Sequence, residues 1–200
     1  MTGSTIDDQR PDTADEPVRR LLERIAPLTV GRPADLSSAA AALADLASDV
    51  EYLGPWIARL GDTSGPLAIH APERGPRLSI VHRLHGQMSA IHDHGTWVAV
   101  SPVTGIETHR RYRRGASNEA PPTLEAVAAL GPTATVTLVP PDDVHDHGHL
   151  TGNGAPAYIL ILTGDDQRHY ERHEWDLATG RHRVLAPGEA GRWTSDEPWP

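Results

Sequence analysis

The chain has 200 residues, enough for one domain with a sizeable core, and a formal charge of −9, which argues against a nucleic-acid partner because phosphate contacts need a basic footprint. Cysteine is absent, which excludes disulfides, a thiolate nucleophile and sulfur-ligated metal. No run of 18 apolar residues occurs, and the polar start MTGSTIDDQRPDTADEP lacks an apolar signal core, so the expectation is a cytoplasmic protein without a membrane partner.

Residues 1–16 are charged and poor in apolar side chains, and read as a disordered tail. Pro17 opens PVRRLLERIAPL, where Val18, Leu21, Leu22 and Ile25 recur at helical spacing before the Gly31-Arg32-Pro33 break. DLSSAAAALADLASDVEYL predicts a second helix, capped by Asp35 or Ser37 and interrupted at Gly54-Pro55, with a short WIARL segment after it. Residues 17–64 are thus expected to form a helical segment that packs on the rest.

From residue 65 the pattern changes to short β-branched or alternating segments separated by Gly, Pro, Asn and Asp. They are PLAIH, RLSIVHRL, SAIHDH, TWVAVSPV, IETHRRY, LEAVAAL, ATVTLV, VHDHGHL, AYILILTG and HYERHEWDL. LEAVAAL has helix propensity, but seven residues closed by Gly131-Pro132 favour a strand. Many short strands without βαβ alternation predict a mainly β, antiparallel barrel or sandwich over residues 65–200. Its Gly/Pro-rich tail, RVLAPGEAGRWTSDEPWP, is expected to wrap the surface.

Twelve histidines in a chain without cysteine are the natural pool of metal ligands. His92 and His94 stand at i and i+2, which on a strand directs both imidazoles to one face. A second HDHG, in PPDDVHDHGH, brings His145 from a distant strand. Three neutral imidazoles make a facial half-shell for a divalent metal and leave other positions open. His147 and His149 share the face of His145 and could take its place. Asp93 and Asp146, between the imidazoles, should point away into turn or supporting hydrogen bonds.

These residues resemble the two motifs of the cupins. Gly86, His92, His94 and Gly105 match the spacing of the first, with Val98 where most cupins carry a metal-binding glutamate. Pro140 and His145 match the second, with Asp142 for its glycine and His149 for its asparagine. The resemblance implies a double-stranded β-helix, a jelly-roll barrel, and the N-terminal helices read from the spacing above are compatible with it. SIVHRLHGQMSAIHDHGTW, GIETHRRYRR, PPDDVH and HEWDLATGR are further similar, in order, to the cysteine dioxygenase family of thiol dioxygenases over roughly residues 65–185. That resemblance implies Fe(II) on His92, His94 and His145, and O2 added to the sulfur of a small molecule to give a sulfinate.

The chain also departs from that family. The positions of its Ser–His–Tyr triad align with Ile159, Ile161 and Thr163, and its carboxylate-binding arginine aligns near Leu67. A cysteine–tyrosine cross-link cannot form. Arg83, on the strand entering the metal turn, could bind a carboxylate with its planar fork. Trp97 is chiefly a packing residue and a candidate substrate contact. His147 could hydrogen-bond a substrate, and the small Thr163 leaves room for a bulkier one. Arg110, Arg111, Arg113 and Arg114 read as a solvated face paired with carboxylates, and Glu107 as a structural contact.

The substrate implied is a small thiol or thione other than plain cysteine. A larger sulfur amino-acid derivative of the ergothioneine kind would suit a site with many histidines and tryptophans. Two alternatives remain: oxygenolytic C–C cleavage of a β-dicarbonyl, or a metal-dependent binding cupin without turnover. The expected partners are the sulfur substrate and O2, and the protein is expected to be a monomer or homodimer.

Overall fold

The computed structural model describes residues 16–28, 35–150 and 154–191. The predicted N-terminal tail, apart from Glu16, and residues 192–200 of the predicted wrapping tail lie outside them. Among the described residues three α-helices come first. α1 (Glu16–Ile25) buries Val18, Leu21 and Ile25, one stripe at the spacing the sequence predicts. α2 (Ser37–Ser48) is led in by Asp35, whose carboxylate accepts from the Ser37 N–H at 2.7 Å and its hydroxyl at 2.8 Å. It buries Ala39, Ala42, Leu43, Leu46 and Ala47, and the small alanines let it lie close on a sheet.

The next break falls at Asp49, not at Gly54-Pro55. The Asp49 side chain accepts from the Tyr52 N–H at 3.0 Å and starts α3 (Val50–Leu60), which runs through Pro55. An N-cap aspartate ahead of a new apolar face, with Leu53 and Leu60 buried, outweighs the one hydrogen bond that proline removes.

Eleven strands follow: β1 (Gly65–His70), β2 (Arg77–Arg83), β3 (Ile91–His92), β4 (Val98–Thr104), β5 (Glu107–Arg113), β6 (Thr123–Leu130), β7 (Val136–Leu138), β8 (His145–Gly148), β9 (Ala157–Thr163), β10 (Arg172–Asp176) and β11 (Arg181–Leu185). LEAVAAL is a strand, as expected. β11 arises from RHRVL, most of it in the stretch expected to wrap the surface; it pairs with β10 as an antiparallel hairpin. One sheet has the order β1-β2-β9-β4-β7 and the other β11-β10-β3-β8-β5-β6. All pairings are antiparallel. Within them, β2-β9-β4-β7 faces β3-β8-β5-β6, the interleaved order of a double-stranded β-helix.

Parity along the strands distributes the side chains. On β2, Leu78 and Ile80 join the core beneath the helices, with Trp97, Ala99, Leu160 and Leu162. The alternate residues Arg77, Ser79, Val81 and Arg83 face a cavity between the sheets. β2 is therefore covered on both faces. Next to the cavity, Val81, Val98, Val100, Leu138, Ala157 and Ile159 form an apolar plug. β6 is the exception, an edge strand exposed almost throughout, with Leu124 and Val127 at 50% and 61% exposure. Among the described residues no helix is long and apolar enough to cross a membrane.

Candidate metal centre

His92 ends β3, and His145 opens β8 directly opposite it in the antiparallel ladder. That register explains the closeness of two residues far apart in sequence, with ring centroids 4.6 Å apart. His94 lies two residues past the end of β3, where the Asp93 N–H still donates to the His173 carbonyl at 3.2 Å. Its Nε2 stands 3.1 Å from His92 Nε2. One ring nitrogen from each of His92, His94 and His145 falls within 4.8 Å of the others.

The supporting contacts leave nitrogens available to a metal. His92 Nδ1 lies 2.8 Å from the Ala90 carbonyl and His145 Nδ1 2.8 Å from the Asp143 carbonyl, so in each ring Nδ1 donates and Nε2 is left as the free base. His145 Nε2 is buried with no hydrogen-bond partner among the described residues, an orphan that a cation would satisfy. Burial pushes all three imidazoles toward the neutral form, His92 to about 3 and His94 and His145 well below their usual value. Neutral, carboxylate-free nitrogen donors, two of them buried and His92 half-buried, fit a divalent metal.

Asp143, which no motif marks, ties two arms of the group together. Its carboxylate accepts from the His94 N–H at 2.9 Å and the Gly95 N–H at 3.3 Å, while its carbonyl orients His145. Asp93 and Asp146 point away from the imidazoles, as expected. Asp93 accepts from the His173 N–H at 2.6 Å and from Arg114 at 2.8 Å. Asp146 takes both an Arg110 fork and the Tyr112 hydroxyl. The arginine run is thus only in part a solvated face. Arg110 and Arg114 brace the backs of the two HDHG segments, and Arg111 pairs with exposed Glu125. Gly148, in the second of these segments, is required by packing: a Cβ there would stand 2.1 Å from the Gln87 carbonyl.

His149 is turned away, its two ring nitrogens 2.8 and 2.7 Å from the carbonyls of Ile106 and Ala155. His147 stands outside the group of three and faces the cavity. Its Nδ1 is 3.6 Å from Glu107 Oε2, and His109 Nδ1 is 3.3 Å from Glu107 Oε1. Burial lowers the His147 pKa; for Glu107 burial acts upward but is outweighed by the two imidazoles, which hold its carboxyl low. His109, likewise unmarked by a motif, stacks on His145 with centroids 5.0 Å apart. The alternation in IETHRRY places Glu107 and His109 on one face, which is the signal that could have found it.

The cavity measures about 270 Å³, just under the usual range for small-molecule sites. Arg83, His147 and Thr163 line it together with His92 and His94. Trp97 does not. Its parity puts it with Ala99 on the helix side of β4, 1% exposed in the core, while Val98 and Val100 face inward. Arg77, Arg168, Arg172, Gln167, Asp166 and Glu174 also line the cavity, and nothing in the sequence pattern singles them out. They come from β2, from β10 and from the turn before it, segments without a motif.

No known family model matches the chain, and no curated protein is similar to it. Among solved structures, a cupin family protein with a double-stranded β-helix fold from Methanocaldococcus jannaschii aligns with a TM-score of 0.39 and 8% identity, over 54% of this chain and 87% of its own. A cupin 2 domain-containing protein from Halorhodospira halophila gives 0.41 and 16%, over 56% and 70%. A protein from Thermus thermophilus gives 0.42 and 18%, over 55% and 94%. What assigns the fold is the strand order of the two sheets: a cupin-type double-stranded β-helix with a three-histidine group that could bind a metal.

Proposed function

We propose that the protein is a non-haem iron(II) thiol dioxygenase of the three-histidine cupin type, converting a small thiolate and O2 to a sulfinate, RS⁻ + O2 → RSO2⁻. The observation that carries this reading is the donor set: three neutral imidazoles, no carboxylate among them, with His92 and His94 lining a cavity of about 270 Å³. His92, His94 and His145 would hold the ion. Bound there, iron(II) would supply the coupling of sulfur with O2, and a ligand set that cancels none of the ion's charge favours an anionic sulfur.

The chain's own residues position the substrate. Arg83, fully buried on β2, faces the cavity and would take a carboxylate on its fork. His147 stands beside it to hydrogen-bond the substrate. Ile161 and Thr163 form a largely apolar wall that limits water. Among the described residues the lining is rich in arginine and contains no tryptophan, which supports an anionic rather than a cationic, aromatic substrate and weighs against the ergothioneine kind.

The test is O2 consumption by the iron(II)-loaded protein with cysteine, cysteamine, 3-mercaptopropionate, mercaptosuccinate and ergothioneine, with mass spectrometry of the products. A product two oxygens heavier than its substrate is expected. Bound metal with no O2 uptake across the panel would refute the reading and leave dicarbonyl cleavage or binding without turnover.

A further inference from the structure

Two guanidiniums reach the cavity from opposite walls. Arg83 comes from β2 in one sheet, and Arg172 opens β10 in the other. On β10, Glu174 stands opposite His92 in the ladder, and Arg172 lies two residues along on the same inward face. Both arginines act electrostatically on His92; Arg83 also acts on His147 and Arg172 on His94. Coming from the two sheets into one cavity, they flank the imidazole group on two sides.

Arg172 is less completely answered than Arg77 and Arg168, which share Asp166 at 3.0 and 2.6 Å. The carboxylates around Arg172 are engaged elsewhere: Glu174 by Arg183 at 3.2 Å, Asp93 by Arg114, and Asp166 as just described. Arg172 is 3% exposed, donates one hydrogen bond to the Glu189 carbonyl at 2.5 Å, and has a buried Nε–H with no acceptor among the described residues. Burial lowers its pKa, with Glu174 first among the carboxylates opposing that shift. Yet a guanidinium stays charged, and a buried one calls for an anion.

We propose that Arg172 is a second anion-binding group, so that the substrate is a small dianionic acid with one carboxylate on Arg83, the other on Arg172, and its thiolate toward the three histidines. The thiolate part rests on the dioxygenase reading; the two carboxylates do not. A four-carbon diacid is of a size with the cavity, and the pairing explains why this wall carries an arginine where an apolar barrel would not.

The experiment is calorimetric binding to the iron(II)-loaded protein without O2, using mercaptosuccinate, 3-mercaptopropionate, succinate and propionate. The diacid thiol is expected to bind on the order of 30-fold tighter than the monoacid, the contribution of one charge-assisted, forked contact. Arg172→Met should remove most of that preference and leave 3-mercaptopropionate within about 3-fold of its original affinity, with Arg172→Lys intermediate. Equal affinities in the unaltered protein, or a preference that survives Arg172→Met, would overturn the inference. The succinate-to-propionate comparison needs no variant, and equal binding of the two would overturn it as well.

Admitting O2 afterwards separates the two readings. A diacid preference without O2 uptake keeps the dianion site and removes the dioxygenase. Uptake without a diacid preference does the reverse.

Discussion

Asp166 allows a quantitative test of the cavity's charge arrangement. It is 6% exposed, caps the short turn before β10 by accepting from the Arg168 N–H at 2.9 Å, and takes the side chains of Arg168 and Arg77. The Arg168 side-chain hydrogen bond leads the causes that hold its carboxyl at about 2, from an ordinary 3.8, against the upward pull of burial. That drop corresponds to about 2 kcal/mol of stability. Arg168 is half exposed and its charge is screened by water, which brings the expected figure to about 1–2 kcal/mol.

The sign follows from which state binds the proton more tightly. The folded pKa is the lower, so the stabilisation is present above the unfolded pKa near 3.8 and is lost as pH falls through the folded value near 2. Asp166→Asn mimics the protonated state. Urea unfolding at pH 7 should therefore show the variant about 1–2 kcal/mol less stable, with the gap narrowed by roughly half at pH 3. A gap that is absent at pH 7, or constant between pH 7 and pH 3, would refute the ion-pair account. The same variant releases Arg77 and Arg168 into the cavity, so succinate should bind it more tightly, not less.

Three further outcomes follow from the geometry. His145→Ala should lose metal on desalting, read by elemental analysis, whereas His149→Ala should keep it, because both its ring nitrogens face carbonyls away from the site. Leu160→Ala, at a fully buried position between sheet and helices, should cost about 2–5 kcal/mol in chemical denaturation. Gly164→Ala would set a Cβ 2.3 Å from Trp97 Nε1 and should cost about 1–3 kcal/mol, a penalty that Trp97→Phe should partly relieve in the double variant.

The sequence is most legible where one physical rule acts alone. β2 and β9 read as strands because β-branched residues lie between turn signals, and both are covered on two faces. Motif spacing nominates the three histidines because an i, i+2 pair and a distant strand must meet at one register. It fails where two rules compete. Gly54-Pro55 is a strong breaker, but Asp49 has already started a new helix, so the proline falls inside it. RHRVL looks like tail because Gly and Pro follow it, while the turn that returns it to β10, Leu177 to Gly180, is what makes it a strand. Trp97 packs in the core, as its main reading has it, and strand parity keeps it out of the cavity that nearness to His94 also suggests.

The site's charged residues are hidden for a different reason. A ligand pair announces itself by spacing, but the residues that brace it or share its cavity are set by pairing across strands, which a single sequence does not display. Asp143 is far from His94 in the chain and hydrogen-bonded to its backbone. Arg110 and Arg114 look like solvated charge, yet each holds an aspartate that lies between two imidazoles or just before one. Carboxylates buried this deeply would be costly unpaired, and the arginines that neutralise them sit on β5 or just past its end, alongside the ligand strands. The inner wall is arranged differently. Arg83 and Arg172 face the cavity from opposite sheets, and the carboxylates nearest Arg172 already serve other arginines. On the outer wall Arg110 and Arg114 are each answered by an aspartate, whereas the dianion site proposed above would answer Arg172 with an acid from solution.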